Sequence, residues 1–223
     1  MLRLRVLSWR LSPGHARWPE LAALLGGWEW DVAALRGLPR RWPAPLARAL
    51  DAEFRCAPAH ADGNWGGSWL RRLLSSERLP AGPATTAGDA IVARRDRIAS
   101  EWPPAARRAP RTGLHMARLA CGIWVGNQHG GEPGQPDREL STVIGDDEAL
   151  VVTGARAGMT IDLPGRPLAV VADDGEDAIW ATTDLVPVAP AKVLAGGAAG
   201  GRPPFAVTLE QRPLSGIAGA GPG

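Results

Sequence analysis

Residues 2–9 alternate in polarity, with Leu2, Leu4, Val6 and Ser8 on one face and Arg3, Arg5, Leu7 and Trp9 on the other. Period-two alternation predicts a first strand whose second face is mixed. Ser12-Pro13-Gly14 breaks it. Trp18, Leu21, Leu24 and Leu25 recur at helical spacing with Pro19 in the first turn, which predicts a helix over 18–25 that Gly26-Gly27 ends. The same reasoning gives a short strand at 31–35 and a second helix at 43–50, on Leu46, Ala47 and Leu50. Strands are expected at 54–57, 90–93, 150–153, 168–172, 178–181 and 205–209. Residues 114–119 and 122–127 read as a hairpin turning at Ala120-Cys121-Gly122. A short helix is expected within 68–74 and another at 137–144, and 130–136 and 196–204 read as loops. Many short strands and few helices predict an α/β protein with a large, partly antiparallel sheet system.

Composition adds limits. The 223 residues are 45% hydrophobic and 22% charged, enough for a buried core and ordinary for a globular chain. No apolar run approaches the roughly 20 residues of a membrane span, and the alternating N-terminus is unlike a signal peptide. A cytoplasmic location is the expectation. Cys56 and Cys121 are too few for a disulfide framework and lack the partners of a zinc site; two reduced, buried thiols are expected. Net charge is +2, divided unevenly: residues 1–111 carry 18 Arg against 10 Asp+Glu, a balance of +8, leaving −6 for the rest. The basic half could meet an anion, but no dense basic run supports nucleic-acid binding.

Several segments, taken in order, resemble the endonuclease/exonuclease/phosphatase (DNase I-like) superfamily. LRVLSWRLSPGH resembles its first strand, RVLTWNL, and DVAALRGLPRR its DVALLQEVP strand. GDAIVARRDRI is similar to its G-N-A-I-L strand, WVGNQHGG to W-V-x-N-x-H, and EALVVTGARA to the strand ending in G-D-F-N. EDAIWATTDLVPVAP resembles V-D-H-I-F-A, and AAGGRPPFAVTLE the closing S-D-H-x-P strand. The resemblance covers most of 1–210. It implies a four-layer α/β/β/α sandwich in one compact domain, residues 1–212, followed by a flexible tail at 213–223.

In that family the strand ends deliver oxygen ligands to a divalent ion, which polarises the scissile phosphate. Here the matching positions depart from the pattern. The first-strand Asn is Arg10, the Glu is Gly37, the G-D-F-N residues are Ala155 and Ala157, and the S-D-H pair is Gly200-Gly201. Asp-His of the penultimate strand is Asp177-Ala178. Only Asn127, His129 and Asp177 match the family's functional types. No cofactor and no metal site are therefore expected. A guanidinium repels a divalent cation, and glycine offers no ligand.

The candidate catalytic residues are His129 as acid/base, Arg10 as an anchor for an anion or carbonyl, and Asp177. Each has a plainer reading: His129 as a remnant at a strand end, and Arg10 as an internal counter-ion for Asp177. Asn127, His15, His115, Trp65 and Trp69 are candidate substrate-binding residues. Against this, Asn127 could bond loop backbone, and His15 and His115, expected at the cleft mouth, could simply be solvated. His60 has no partner signal. Trp65 and Trp69 sit in the Gly-rich insertion of 59–87 and could form a lid, a partner surface or a self-anchored loop; the other eight of ten tryptophans read as core. Asp146-Asp147-Glu148 and Asp173-Asp174 read as solvated turns.

Three functions follow in order. The first is a repurposed member that binds or transforms a small organic molecule in the old cleft, with specialised metabolism a natural setting. The second is a non-catalytic pseudoenzyme that binds a protein partner. The third is a residual Mg²⁺-dependent phosphodiesterase.

Overall fold

The computed structural model describes residues 1–11, 18–39, 41–57, 87–94, 97–102, 114–128, 143–145, 147–156, 162–163, 166–195 and 202–212. The chain runs β1 (Arg3–Arg10), α1 (Trp18–Gly27), β2 (Val32–Pro39), α2 (Pro43–Leu50), β3 (Glu53–Ala57), β4 (Ala87–Ala93) and β5 (Ile98–Trp102). It continues through β6 (Leu114–Leu119), β7 (Trp124–Gln128), β8 (Leu150–Arg156), β9 (Asp162–Leu163) and β10 (Arg166–Asp173). It closes with β11 (Asp177–Thr182), β12 (Leu185–Pro187), β13 (Lys192–Val193) and β14 (Phe205–Gln211).

The strands form two seven-stranded sheets, ordered β12-β14-β1-β2-β4-β3, with β13 also on β14, and β5-β6-β7-β8-β11-β10-β9. Each has a parallel pair at its centre, β1 with β2 and β7 with β8, in an otherwise antiparallel ladder. A parallel pair needs a crossover, and α1 supplies it between β1 and β2.

Alternation along β1 explains its place. Leu4 and Val6 enter an apolar seam between the sheets with Val32, Ile91, Leu119, Val125, Val151 and Ile179. Leu7 and Trp9, on the opposite face, meet Leu21, Leu25, Leu46 and Leu50 of the two helices. A strand buried on both faces carries no polar alternation to report its centrality, which is why its second face reads as mixed. A third cluster, including Met116, Trp124, Leu150, Val152 and Trp180, covers the outer face of the second sheet. Two facing sheets with helices on the outer face of the first agree with the expected sandwich; over the outer face of the second sheet the described residues include the segment around Ile144.

The expected helices at 18–25 and 43–50 and every expected strand recur within a few residues. The short strands β9, β12 and β13 and the edge strand β5, whose IASEW sequence exposes Ala99 and Ser100, were not anticipated. The helix expected within 68–74, most of the one at 137–144, the loop at 130–136 and the tail at 213–223 lie outside the described residues. Cys56 and Cys121 form no disulfide, but the expectation of burial is corrected: Cys56 is exposed and Cys121 half-buried, because each lies at the sheet periphery, on edge strand β3 and in the β6–β7 turn.

One irregularity shapes the end of β2. Its register with β4 shifts between Leu35 and Leu38, and Gly37 adopts φ +76. The Leu11 N–H donates to the Arg36 carbonyl at 2.9 Å, so Leu11 lies directly over the bulge. A Cβ on residue 37 would sit 2.5 Å from the Leu11 carbonyl oxygen, inside van der Waals contact with backbone. Glycine is required by both dihedral and space. Gly37→Ala should therefore destabilise the fold by more than about 1 kcal/mol in urea unfolding; an unchanged midpoint would show that β1 and β2 move apart freely there.

Candidate functional site

The face of each strand that lines the apolar seam turns polar at one end of the sandwich. On β1 the face of Leu4 and Val6 continues to Ser8 and Arg10, and on β2 the face of Val32 and Ala34 continues to Arg36. On β7 Val125 is followed by Asn127, on β8 Val151 by Thr153, and on β6 and β11 Ala117 and Ile179 are preceded by His115 and Asp177. Ser8, Arg36, Asp89, His115, Asn127, Thr153 and Asp177 are all buried. The C-terminal ends of both parallel pairs meet here.

Arg36 crosses from the first sheet to the second. Its Nη1 donates to Asp177 Oδ1 at 3.1 Å and its Nη2 to Asp177 Oδ2 at 2.6 Å. Nη1 also donates to the Gly154 carbonyl at 3.1 Å. The two side chains are 6% and 8% exposed, so solvent screens the pair little. Gly154, at φ +84, makes room for it: a Cβ there would lie 2.7 Å from the Gln128 carbonyl oxygen and 2.9 Å from Arg36 Nη1.

Asn127 bonds across the seam in the same way. Its Nδ2 donates to the Leu35 carbonyl at 3.2 Å and to the Ala90 carbonyl at 3.4 Å, so the amide fills gaps in the β2 and β4 ladder beside the bulge. Among the described residues its Oδ1 has no hydrogen-bond partner, nor do Ser8 Oγ, Arg36 Nε and His115 Nδ1. A buried polar atom without a bond costs about 1–3 kcal/mol. Four along one layer mark a site whose side chains are not spent on the fold.

His115 stands opposite Asn127 in the β6–β7 register. Burial pushes its imidazole down from the ordinary 6.5 to about 4; Asp89 opposes this and Arg55, which also faces Glu101 at 3.6 Å, reinforces it. The ring is neutral across the physiological range.

These positions revise the expectations for several residues. Arg10 is exposed at the end of β1; the counter-ion of Asp177 is Arg36, which lies on the seam face of β2 after Val32 and Ala34 and bonds Asp177 across it. His115 lies inside the seam, not at a solvated mouth, since it shares a face with Ala117 and Leu119. Asn127 bonds the backbone of β2 and β4, not of a loop. Asp177 is joined to Arg36. His129, His15, Trp65 and Trp69 lie outside the described residues. Arg36 itself was overlooked. Its signal was present: it is the one charge in VAALRGLP, at the period-two position that follows Val32 and Ala34.

Two measurements check this electrostatic account. Arg36→Met and Asp177→Asn should each cost about 3–5 kcal/mol, since each strands a buried group of the surviving partner. The double variant Arg36→Met/Asp177→Asn should cost well under their sum in a double-mutant cycle; additive losses would mean the pair is not coupled. The unfolded His115 takes up a proton near 6.5 and the folded one only near 4. The neutral ring's contribution is therefore complete above 6.5 and lost as pH falls toward 4, by on the order of 3 kcal/mol. His115→Phe should flatten that slope in unfolding free energy measured between these pH values.

No protein-family model matches the sequence, and no curated protein matches it significantly. Solved structures do match in fold. An endonuclease/exonuclease/phosphatase from Beutenbergia cavernae is similar at TM-score 0.58 and 15% identity, over 94% of this chain and 72% of that one. One from Bacteroides vulgatus gives 0.60 and 12%, over 95% and 100%. The human Nocturnin catalytic domain gives 0.54 and 11%, over 94% of each chain. Two mixed sheets face to face with helices outside the first are thus the DNase I-like fold that these endonuclease/exonuclease/phosphatase structures share.

Proposed function

We propose that this protein has given up metal-dependent phosphoester cleavage and uses the strand-end cleft to bind or transform a small organic molecule. The observation that carries this reading is the buried Arg36–Asp177 pair. Both carboxylate oxygens of Asp177 are taken by one guanidinium, so the one carboxylate retained from the family pattern is committed to a cation fixed in the chain. A divalent ion placed there would have to displace Arg36 and meet its charge at close range.

The rest of the donor set supports the same reading. Mg²⁺ needs hard oxygen ligands in near-octahedral array. Gly37 offers none, and the Leu11 carbonyl leaves no room for a side chain at that position. Among the described residues no group of three His, Cys, Asp or Glu is placed to hold a metal. The residues present do not fit the ion the family pattern implies. What the cleft does offer is a neutral imidazole, an amide, a hydroxyl and, at its rim, the exposed Arg10. A few convergent polar groups against an apolar wall suit a small-molecule site. In this reading Arg10 anchors a carboxylate or carbonyl at the mouth, and His129, the residue that follows β7 in the sequence, serves as acid/base.

The test is a calorimetric titration with MgCl₂ and MnCl₂, paired with hydrolysis of a chromogenic phosphodiester with and without EDTA. Neither saturable heat nor EDTA-sensitive turnover is expected. Saturable binding together with turnover that EDTA abolishes would establish a phosphodiesterase and end this reading.

A further inference from the structure

We infer that the layer beside the ion pair is a subsite for an uncharged group that both donates and accepts hydrogen bonds, such as a carboxamide, and that it discriminates against phosphate and carboxylate. This rests on the proposed use of the strand-end cleft and specifies the class of molecule it takes.

The argument starts from which bonding capacity is spent and which is not. The charge of Arg36 is matched by Asp177 at 2.6 Å, and Arg55 faces Glu101 at 3.6 Å. His115, between Asp89 and Arg55, is neutral. The unspent atoms are Asn127 Oδ1, His115 Nδ1, Ser8 Oγ and Arg36 Nε.

Their identities decide the ligand. The Asn127 amide nitrogen already donates to Leu35 and Ala90, which fixes the amide's orientation and leaves its oxygen as a pure acceptor. An acceptor in low dielectric requires an N–H or O–H from the ligand. A deprotonated carboxylate or phosphate has only acceptors, so its lone pairs would oppose those of Oδ1. Arg36 Nε can only donate and requires an oxygen. Leu35, whose carbonyl takes the Asn127 amide, is the residue before Arg36, so the acceptor on β7 and the donor on β2 come from facing strands of the two sheets. A carboxamide presents an N–H and a C=O two bonds apart and can meet both. An anion would also surrender its hydration to a layer whose one guanidinium is already paired. All four atoms are shielded from solvent, so binding requires local opening at the strand ends, and a bare fragment should bind weakly.

A matched series on one ring tests this: benzamide, benzoate and phenyl phosphate, titrated into ¹⁵N-labelled protein. The readouts are the side-chain amide signals of Asn127 and the melting temperature. Benzamide is expected to shift the Asn127 signals saturably and raise the melting temperature, with the two anions leaving the Asn127 signals unmoved at matched concentration. His115→Phe keeps a ring of similar size and should weaken benzamide about fivefold, the loss of one hydrogen bond. Phenyl phosphate shifting these signals as strongly as benzamide would overturn the inference, and so would silence from all three. Either result leaves the loss of metal chemistry standing as long as the metal titration gives no heat. Metal binding with EDTA-sensitive turnover would remove the parent reading whatever the fragments do.

Discussion

The strand-end layer is organised by one contact, the bidentate bond between Arg36 of the first sheet and Asp177 of the second. Two sheets packed through an apolar seam have no inherent reason to stay in one register at their ends, because hydrophobic contact is non-directional. A guanidinium fork on a carboxylate is directional. It sets the depth to which β2 and β11 approach, and it has local conditions. Gly154 must lack a side chain to leave room for the guanidinium, and residue 36 must fall on the seam face of β2. Buried pairs of this kind are weak contributors to net stability compared with an apolar filling, yet costly to break. Their value is in specifying geometry, which here is the geometry of the candidate site.

Around that contact the site divides into committed and uncommitted groups. Thr153 Oγ1 donates to the Gly126 carbonyl at 3.2 Å, and the Asn127 amide nitrogen ties two strands of the opposite sheet. Those atoms hold the sandwich closed. Asn127 Oδ1, His115 Nδ1 and Ser8 Oγ project from the same rigid strands and are tied to nothing. A site built on strands, where Asn127 spends one side-chain atom on positioning and keeps another free, needs little further ordering of side chains once the strand ends open.

Much of the fold was legible in the sequence, and the reasons are specific. The 43–50 helix is bounded by Pro43 in its first turn and by Asp51 in a left-handed cap, so both limits carried a local signal. The β6–β7 hairpin declared itself through Gly122 at φ +92. The strands that escaped notice are very short or lie at sheet edges, where few residues are buried and the period-two signal fades. The site was less legible. Arg10 lies at the family's metal-ligand position and drew attention, but residue type at a motif position does not say where a side chain points. The period-two face of Val32, Ala34 and Arg36 carries that direction locally; what no local pattern encodes is that the facing sheet sets Asp177 opposite Arg36. His115 shows the same limit: lone histidines read as solvated until cross-strand pairing puts one beside Asn127.

The bulge at Gly37 also bears on history. A position held at positive φ beneath a neighbouring carbonyl cannot receive a side chain by a single codon change without penalty. An acidic residue there would demand that β2 change its backbone conformation and the chain at Leu11 retreat in the same step. A carboxylate at this position is therefore out of reach of a single tolerated substitution as long as the bulge stands.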